Sequence, residues 1–397
     1  MEKPTDEKNK PRKIAIACQG GGIHGAFACG VLEVILETAE KNLQEGHKEI
    51  PAFDLIALSG TSSGALNAFM VWYGCLASKD KPFEGAQRAL RGLWDTFQVK
   101  KSGEWGMNSF AQLLYQFQSL GFNLKSPAPP LSYDWLMSAL NYWSVLENTF
   151  LPGLDLAEIR PEFYDFEKLL KTCAPNFAQL QNWKTLKPRL LIGAVEIMGG
   201  QFEVFDSHDS RSDPEARQIS YKAVAASGTL PEIRRAQKIL GLKNSNNQDA
   251  LYWDGLFSQN PPVRQLMADT AFDHTPDEIW VIRINPQKIA REPIFSAQID
   301  DRINELSGNL SLNQELYFIN KVNDWVRKGC FQQGKKEVDL FMITMSPDKA
   351  GLEVSSKFNR DPSFVQALRE DGKKRAAEFL RLWSTKAAQK WPQDAMP

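Results

Sequence analysis

Histidine and cysteine are scarce in this chain, and no excess of charge of either sign marks it. Four histidines and five cysteines occur in 397 residues. The cysteines, at 18, 29, 75, 173 and 330, are odd in number, widely spaced and form no CxxC pair. They read as reduced thiols, which excludes a disulfide framework and sets the expected compartment as reducing and cytoplasmic. Cys18, His24 and Cys29 are close in sequence but match no standard ligand spacing, so no metal site is expected. Basic side chains number 47 and acidic ones 48, a formal net charge of −1, and nothing global favours nucleic acid as a partner. Internal repeats and low-complexity tracts are also missing. Residues 1–12 form a charged tail, and the apolar run that follows it, Ile14 to Cys18, is far too short for a signal-peptide core, so no export signal is expected. Leu55 to Ser78 carries no charge, but Ser59-Gly60-Thr61-Ser62-Ser63-Gly64 breaks it with turn chemistry, which argues against a membrane span.

What is present is an alternation of short apolar runs and helical periodicity. Lys13 to Cys18 reads as a strand, Ala26 to about Leu43 as a helix, Phe53 to Ser59 as a second strand and Ser63 to about Leu76 as a second helix, the opening of a parallel sheet. Leu190 to Glu196 and Gln201 to Phe205 flank Met198-Gly199-Gly200 as an antiparallel hairpin, and Glu278 to Ile284 is a buried strand, so the sheet is mixed. Residues 86–175 form an inserted helical subdomain rich in aromatics, with Phe110, Leu113, Leu114, Phe117 and Leu120 at one-face spacing and a stiff connector at Lys125 to Pro130. The remainder, 287–397, is a mostly helical C-terminal portion (297–328, 362–381) around a strand at Val338 to Thr344, packing on the domain at 13–286; Asp361-Pro362 starts its last helix.

Two glycine-punctuated turns each lie between a strand and a helix. Gly60-Thr61-Ser62-Ser63-Gly64 has the Gly-x-Ser-x-Gly pattern that raises a serine on a sharp strand-to-helix turn, although a plain tight turn shows the same pattern. Ser62 is thereby expected at the C-terminal edge of the sheet, where open α/β folds place their sites. Gly20-Gly21-Gly22-Ile23-His24-Gly25 offers a row of backbone N–H groups suited to a developing negative charge. A serine nucleophile also needs a base. Asp254, in Trp253-Asp254-Gly255-Leu256, is a candidate, and equally a turn former.

Strand, GGGxxG, helix, strand, GTSSGALNA, helix and, far downstream, Asp254-Gly255 followed by Ser258-Gln259-Asn260-Pro261-Pro262 resemble the patatin-like phospholipase family over roughly 13–265. The resemblance implies an α/β three-layer sandwich with a mixed, mainly parallel sheet. It implies Ser62 as nucleophile, Asp254 as its dyad partner, and the amides of Gly20, Gly21 and Gly22 as oxyanion donors, with Gly25, Gly60, Gly64 and Gly255 as motif glycines. Ala225 to Pro231 is similar to the small-residue stretch that precedes the dyad aspartate. Two departures stand out. The family usually has Arg or Lys where this chain has His24, which removes a permanent positive charge beside the loop. It usually has Gly or Ala where this chain has Leu256. The implied activity is ester hydrolysis on phospholipids or related acyl lipids through an acyl-enzyme, without metal or organic cofactor, with transient contact to a membrane surface.

Rival readings are weaker. Gly20-x-Gly22-x-x-Gly25 is a dinucleotide fingerprint, but the second strand ends in Ser59-Gly60-Thr61-Ser62 with no acidic residue for a ribose, and no Walker lysine follows. A Ser-Asp-His esterase would use His274, expected at the opposite edge of the sheet, or His208, in the company of Asp206, Ser207, Asp209 and Ser210 as a solvated loop. His47 sits in a charged loop. A catalytically silent lipid-binding or scaffold protein of the same fold is the other alternative. Among the insertion's aromatics (Trp94, Trp105, Phe122, Trp135, Tyr142, Trp143), helix 134–150 is apolar on more than one face and reads as core or as an acyl-chain groove.

Overall fold

The computed structural model describes residues 10–45, 50–119, 159–180, 188–208, 217–231, 235–244, 246–267, 275–289, 292–331, 336–347, 352 and 354–392. His47, His274, Phe122, the connector at 125–130 and the helix expected at 134–150, with Trp135, Tyr142 and Trp143, lie outside the described residues.

Among the described residues eight strands make one sheet: β1 (Arg12–Cys18), β2 (Phe53–Gly60), β3 (Arg189–Glu196), β4 (Gln201–Asp206), β5 (Gln237–Lys243), β6 (Asp249–Asp254), β7 (Glu278–Arg283) and β8 (Asp339–Thr344). Their order is β5-β6-β3-β2-β1-β7-β8, with β4 also paired to β3. Strands β3, β2, β1, β7 and β8 are mutually parallel, while β4 and β6 run antiparallel to β3 and β5 runs antiparallel to β6. The mixed, mainly parallel sheet is therefore as the sequence implied, and β5 and β6 are additions to it.

Among the described residues the helices longer than a single turn are α1 (Gly25–Glu45), α2 (Ser63–Ala77), α3 (Pro82–Phe97), α4 (Ser102–Ser119), α5 (Phe166–Cys173), α6 (Tyr221–Ser227), α7 (Ser296–Arg327) and α8 (Pro362–Ser384). Both sheet faces are covered, because alternate side chains of the parallel strands enter different cores. Ile14, Ile16 and Cys18 of β1, with Trp280 and Ile282 of β7, join the core under α1, α2, α3 and α8. Ala15, Ala17, Ile279 and Val281 point the other way, onto Leu312, Leu316 and Ile319 of α7. The result is a three-layer sandwich.

Helix α8 lies along α1, where Arg369 donates to the buried Glu33 at 2.7 Å. Asp361 caps α8 by accepting from the amides of Ser363 and Phe364. Of the apolar residues spaced along α4, Phe110 and Leu113 are exposed rather than buried; α4 touches α7 and the 3-10 turn Val354–Phe358.

Candidate active site

Two strands meet end to end beside β3. β2 runs parallel to it and finishes with Gly60 opposite Ile192. β6 runs antiparallel and finishes with Asp254 opposite Ala194. Because β4 pairs with Leu191 to Glu196, β2 and β6 must share the other edge of β3, pointing toward each other across Gly193. The residues following Gly60 and those at the end of β6 are thus brought together by sheet register alone.

At the end of β2 the chain turns sharply into α2. Ser62 has φ 56° and ψ −127°, a left-handed φ that L-residues seldom adopt and that is held here by the surrounding bonds. Gly64 N donates to Thr61 O at 2.8 Å. A Cβ on Gly64 would lie 2.7 Å from the carbonyl carbon of Cys18, and one on Gly60 would lie 2.5 Å from that of Gly64. The turn can be this tight, and α2 can start this close to β1, only with glycine at both places. Ser62 itself stays partly exposed while Thr61 and Ser63 are buried.

Asp254 is completely buried. Its Oδ1 accepts from Leu256 N at 2.8 Å, and its Oδ2 is enclosed without a formed hydrogen bond. Burial pushes its pKa up to about 7; interaction with the Ser62 hydroxyl and the bond from Leu256 N act in the opposite direction. Among the described residues, the hydroxyl that acts on this carboxyl is that of Ser62.

A single segment positions both residues. Ser227, at the end of α6, donates its hydroxyl to Gly193 O at 2.6 Å and accepts from Ser62 N at 2.9 Å. Two residues on, Thr229 O accepts from Asp254 N at 2.8 Å. The small-residue stretch from Ala225 to Pro231 thus holds the serine by its backbone and the aspartate by its own. Gly193 itself is a residue that sequence reasoning passed over. A Cβ there would lie 2.8 Å from Thr61 Oγ1 and 3.0 Å from Pro262 Cδ. Its signal was a glycine inside an otherwise apolar strand, which marks a close approach of another chain segment.

The glycine loop follows β1. A Cβ on Gly20 would lie 2.6 Å from Ser62 Cβ, so the loop backbone abuts the elbow. Of the three amides expected to face an oxyanion, Gly20 N is committed, donating to Asn260 Oδ1 at 2.7 Å while Asn260 Nδ2 donates back to Gly20 O at 3.2 Å. Asn285 Nδ2 adds a further bond to Gly20 O at 2.8 Å. Gly21 N donates to Ser63 Oγ at 3.2 Å, a bond at the long end of the usual range. Gly22, at φ 61°, opens a short 3-10 turn, and its amide belongs to the orphan donors of a helical N-terminus. The loop is therefore gripped at Gly20, held by a longer bond at Gly21, and places the Gly22 amide at the start of the 3-10 turn.

His24 is buried, its Nε2 2.7 Å from Ser356 Oγ and its Nδ1 enclosed without a partner. Burial, and secondarily the charge of Lys357, lower its pKa to about 3, so the ring is neutral. Positive charge near the loop instead comes from Lys357, whose backbone packs on Gly22 and whose Nζ pairs with Asp301 at 3.2 Å and Glu305 at 3.5 Å. Nothing in the sequence pattern tied a lysine more than 300 residues away to this loop.

His208 is not brought to Ser62. It follows β4, on the far edge of β3, where Asp206 lies opposite Leu191. Its neighbours are better fixed than a solvated loop would be. Asp206 forms a two-pronged pair with Arg189 at 3.0 and 2.5 Å, and Ser207 is buried with its hydroxyl accepting from Leu190 N at 2.9 Å.

Fold and site together define a three-layer α/β protein with a serine raised on a strand-to-helix turn, a buried carboxyl beside it and a glycine loop against the serine. The family profile described as patatin-like phospholipase matches residues 16–267, and the chain belongs to that family. No relative matches among curated proteins. Among solved structures, VipD from Legionella pneumophila is 14% identical, with 96% of this chain and 68% of VipD covered at a TM-score of 0.40. ExoU from Pseudomonas aeruginosa, in its heterodimeric complex with SpcU from the type III secretion system, is 13% identical, with 96% of this chain and 54% of ExoU covered at a TM-score of 0.34. Family membership supports a hydrolase acting on lipids.

Proposed function

We propose that the protein is a serine lipid acyl hydrolase that cleaves ester bonds of phospholipids or related acyl lipids with a Ser62–Asp254 dyad. The observation that carries this reading is the pairing of Ser62, held at positive φ on its elbow, with a fully buried aspartate poised near pH 7. A base whose pKa lies close to the working pH combines a useful ionised fraction with a useful affinity for the proton.

In the proposed cycle, Asp254 accepts the proton of Ser62 Oγ as that oxygen attacks the ester carbonyl. The amides of Gly21 and Gly22 take the resulting oxyanion, the Ser63 hydroxyl giving way at Gly21, while Gly20 stays locked to Asn260 and keeps the loop in place. Collapse expels the alcohol, which leaves with the proton from Asp254. Water then attacks the acyl-Ser62 ester, Asp254 accepts its proton and returns it to Ser62 as the fatty acid departs. No histidine, metal or organic cofactor enters the cycle. The five free cysteines suit action in a reducing compartment, on the cytoplasmic side of a membrane.

The test is acyl release from a chromogenic ester and from phospholipid vesicles by the wild type, Ser62→Ala and Asp254→Asn. A burst of alcohol release followed by a slower steady state, lost in both variants, is expected. A silent scaffold of the same fold gives no burst on either substrate.

A further inference from the structure

Helix α7 carries an apolar stripe on the side that faces away from the protein. Its inward face presents Leu312, Leu316 and Ile319 to the core, together with the buried Glu305, Asn309 and Asn323. On the opposite side Ile299, Ile303, Leu310, Phe318 and Trp325 are each between 41 and 55% exposed. At 3.6 residues per turn these five fall within an arc of roughly 100°, centred about half a turn away from the buried positions. At 1.5 Å per residue the stripe is roughly 40 Å long. Scattered exposed apolar residues need no explanation, but an aligned row does.

We propose that this stripe is the surface by which the protein seats itself on a lipid bilayer. The inference rests on the lipid hydrolase reading above and names the face that docks. Two features select lipid over a second copy of the chain. Ser307, Gln314 and Lys321 interrupt the row, which would break a helix-to-helix seam but suits an interface where a lysine stem lies along the apolar face and its ammonium reaches the headgroups. Lys321 Nζ sits 5.5 Å over the Tyr317 ring, an aromatic and basic pair typical of the headgroup level. The carboxylates of α7 mostly lie elsewhere: Glu305 and Glu315 are buried, Asp301 is paired with Lys357, and Asp324 is paired with Arg327 and Lys328. Asp300 stands at one edge of the stripe, and the paired Asp324 at the other.

The helix that carries the stripe also reaches the neighbourhood of the site, by its other flank. α7 touches the 3-10 turn Gly255–Phe257 that directly follows Asp254, with Gly308 against Leu256 and Asn260, and Phe257 of that turn is itself exposed.

The test is co-sedimentation with phosphatidylcholine vesicles, with and without phosphatidylserine, using the full chain and the triple variant Ile303→Ser, Leu310→Ser, Phe318→Ser, alongside hydrolysis of a soluble short-chain ester. Removing three partly exposed apolar side chains should weaken vesicle partitioning on the order of tenfold or more. Vesicle-lipid hydrolysis should fall in step, and soluble-ester turnover should stay within about twofold. Lys321→Glu should reduce binding to the phosphatidylserine vesicles more than to the neutral ones. Unchanged vesicle binding in the triple variant overturns the proposal, and so does a wild-type dimer that the triple variant dissolves in light scattering while vesicle binding persists. If the wild type hydrolyses neither substrate yet loses vesicle binding with the stripe, the docking surface stands and the hydrolase reading fails.

Discussion

Asp254 is where stability and function oppose each other most directly. Its pKa is raised from 3.8 to about 7, chiefly by burial. Between those values the folded state holds a proton that the unfolded chain releases, so stability falls as pH rises through that window and the penalty is complete above it. Three units correspond to about 4 kcal/mol as an upper scale. Asp254→Asn should therefore raise the melting temperature at pH 8 by a few degrees, lose that advantage near pH 4, and still cost on the order of 10³-fold or more in turnover. Thermal unfolding and ester hydrolysis on the same preparations check both halves. A second expectation follows from the same group: kcat/KM should rise with pH to a plateau above about 7, reporting ionisation of the free enzyme's base. A histidine base would make His208→Ala as damaging as Asp254→Asn. The Ser62 and Asp254 positions were legible because each motif leaves residues in a fixed local order. The committed amide of Gly20 was not, since its partner Asn260 is 240 residues away and a row of glycines looks alike in sequence.

At the scale of elements, the dyad is a consequence of two strands ending head to head on β3, with Gly193 at the junction. Gly193→Ala would place a methyl 2.8 Å from Thr61 Oγ1, forcing the elbow or the Gln259–Pro262 segment to move. Overpacking of this kind costs about 1–3 kcal/mol, and turnover should drop far more than the stability loss explains. Calorimetry with parallel kinetics separates the two effects. Ser227→Ala removes the bond to Ser62 N and the bond to Gly193 O together, so it should lower kcat while leaving KM nearly unchanged, because it loosens geometry rather than substrate contact. β1, β2, α1 and α2 were readable from apolar runs and turn chemistry. β5 and β6 were not, because half their residues face solvent in a Lys- and Asn-containing stretch, and pairing across register is a long-range property. The exposure of Phe110 and Leu113 on α4 was missed for a related reason: helical spacing identifies a stripe, and only packing decides which of its members are covered.

At the scale of the whole molecule, the family profile ends at residue 267, but the fold does not. β7 pairs with the free edge of β1 and β8 with β7, α7 covers one sheet face, and α8 covers α1 on the other. Buried Glu278 of β7 shows the interdependence, accepting from Trp280 Nε1 at 2.9 Å and from Trp383 Nε1 of α8 at 2.7 Å while pairing with Arg12 of β1. A chain ending at 290 should consequently give no cooperative thermal transition, because it would expose both cores. A sharp calorimetric transition for that fragment would show instead that it folds by itself. The C-terminal strand and its two long helices were visible in the sequence as separate elements; their role in completing the sheet was not, since the pairing of β8 with β7, Asp339 opposite Glu278, is a matter of register between separate segments.

The central claim is that Ser62, activated by Asp254, is the residue that takes the acyl group. It is tested most directly by treating the protein with a fluorophosphonate, digesting it and locating the phosphonyl adduct by mass spectrometry. The account predicts a single adduct on Ser62 in the wild type, strongly slowed labelling in Asp254→Asn and none in Ser62→Ala. An adduct on Ser63 or any other residue, or ester hydrolysis that continues in Ser62→Ala, would contradict it.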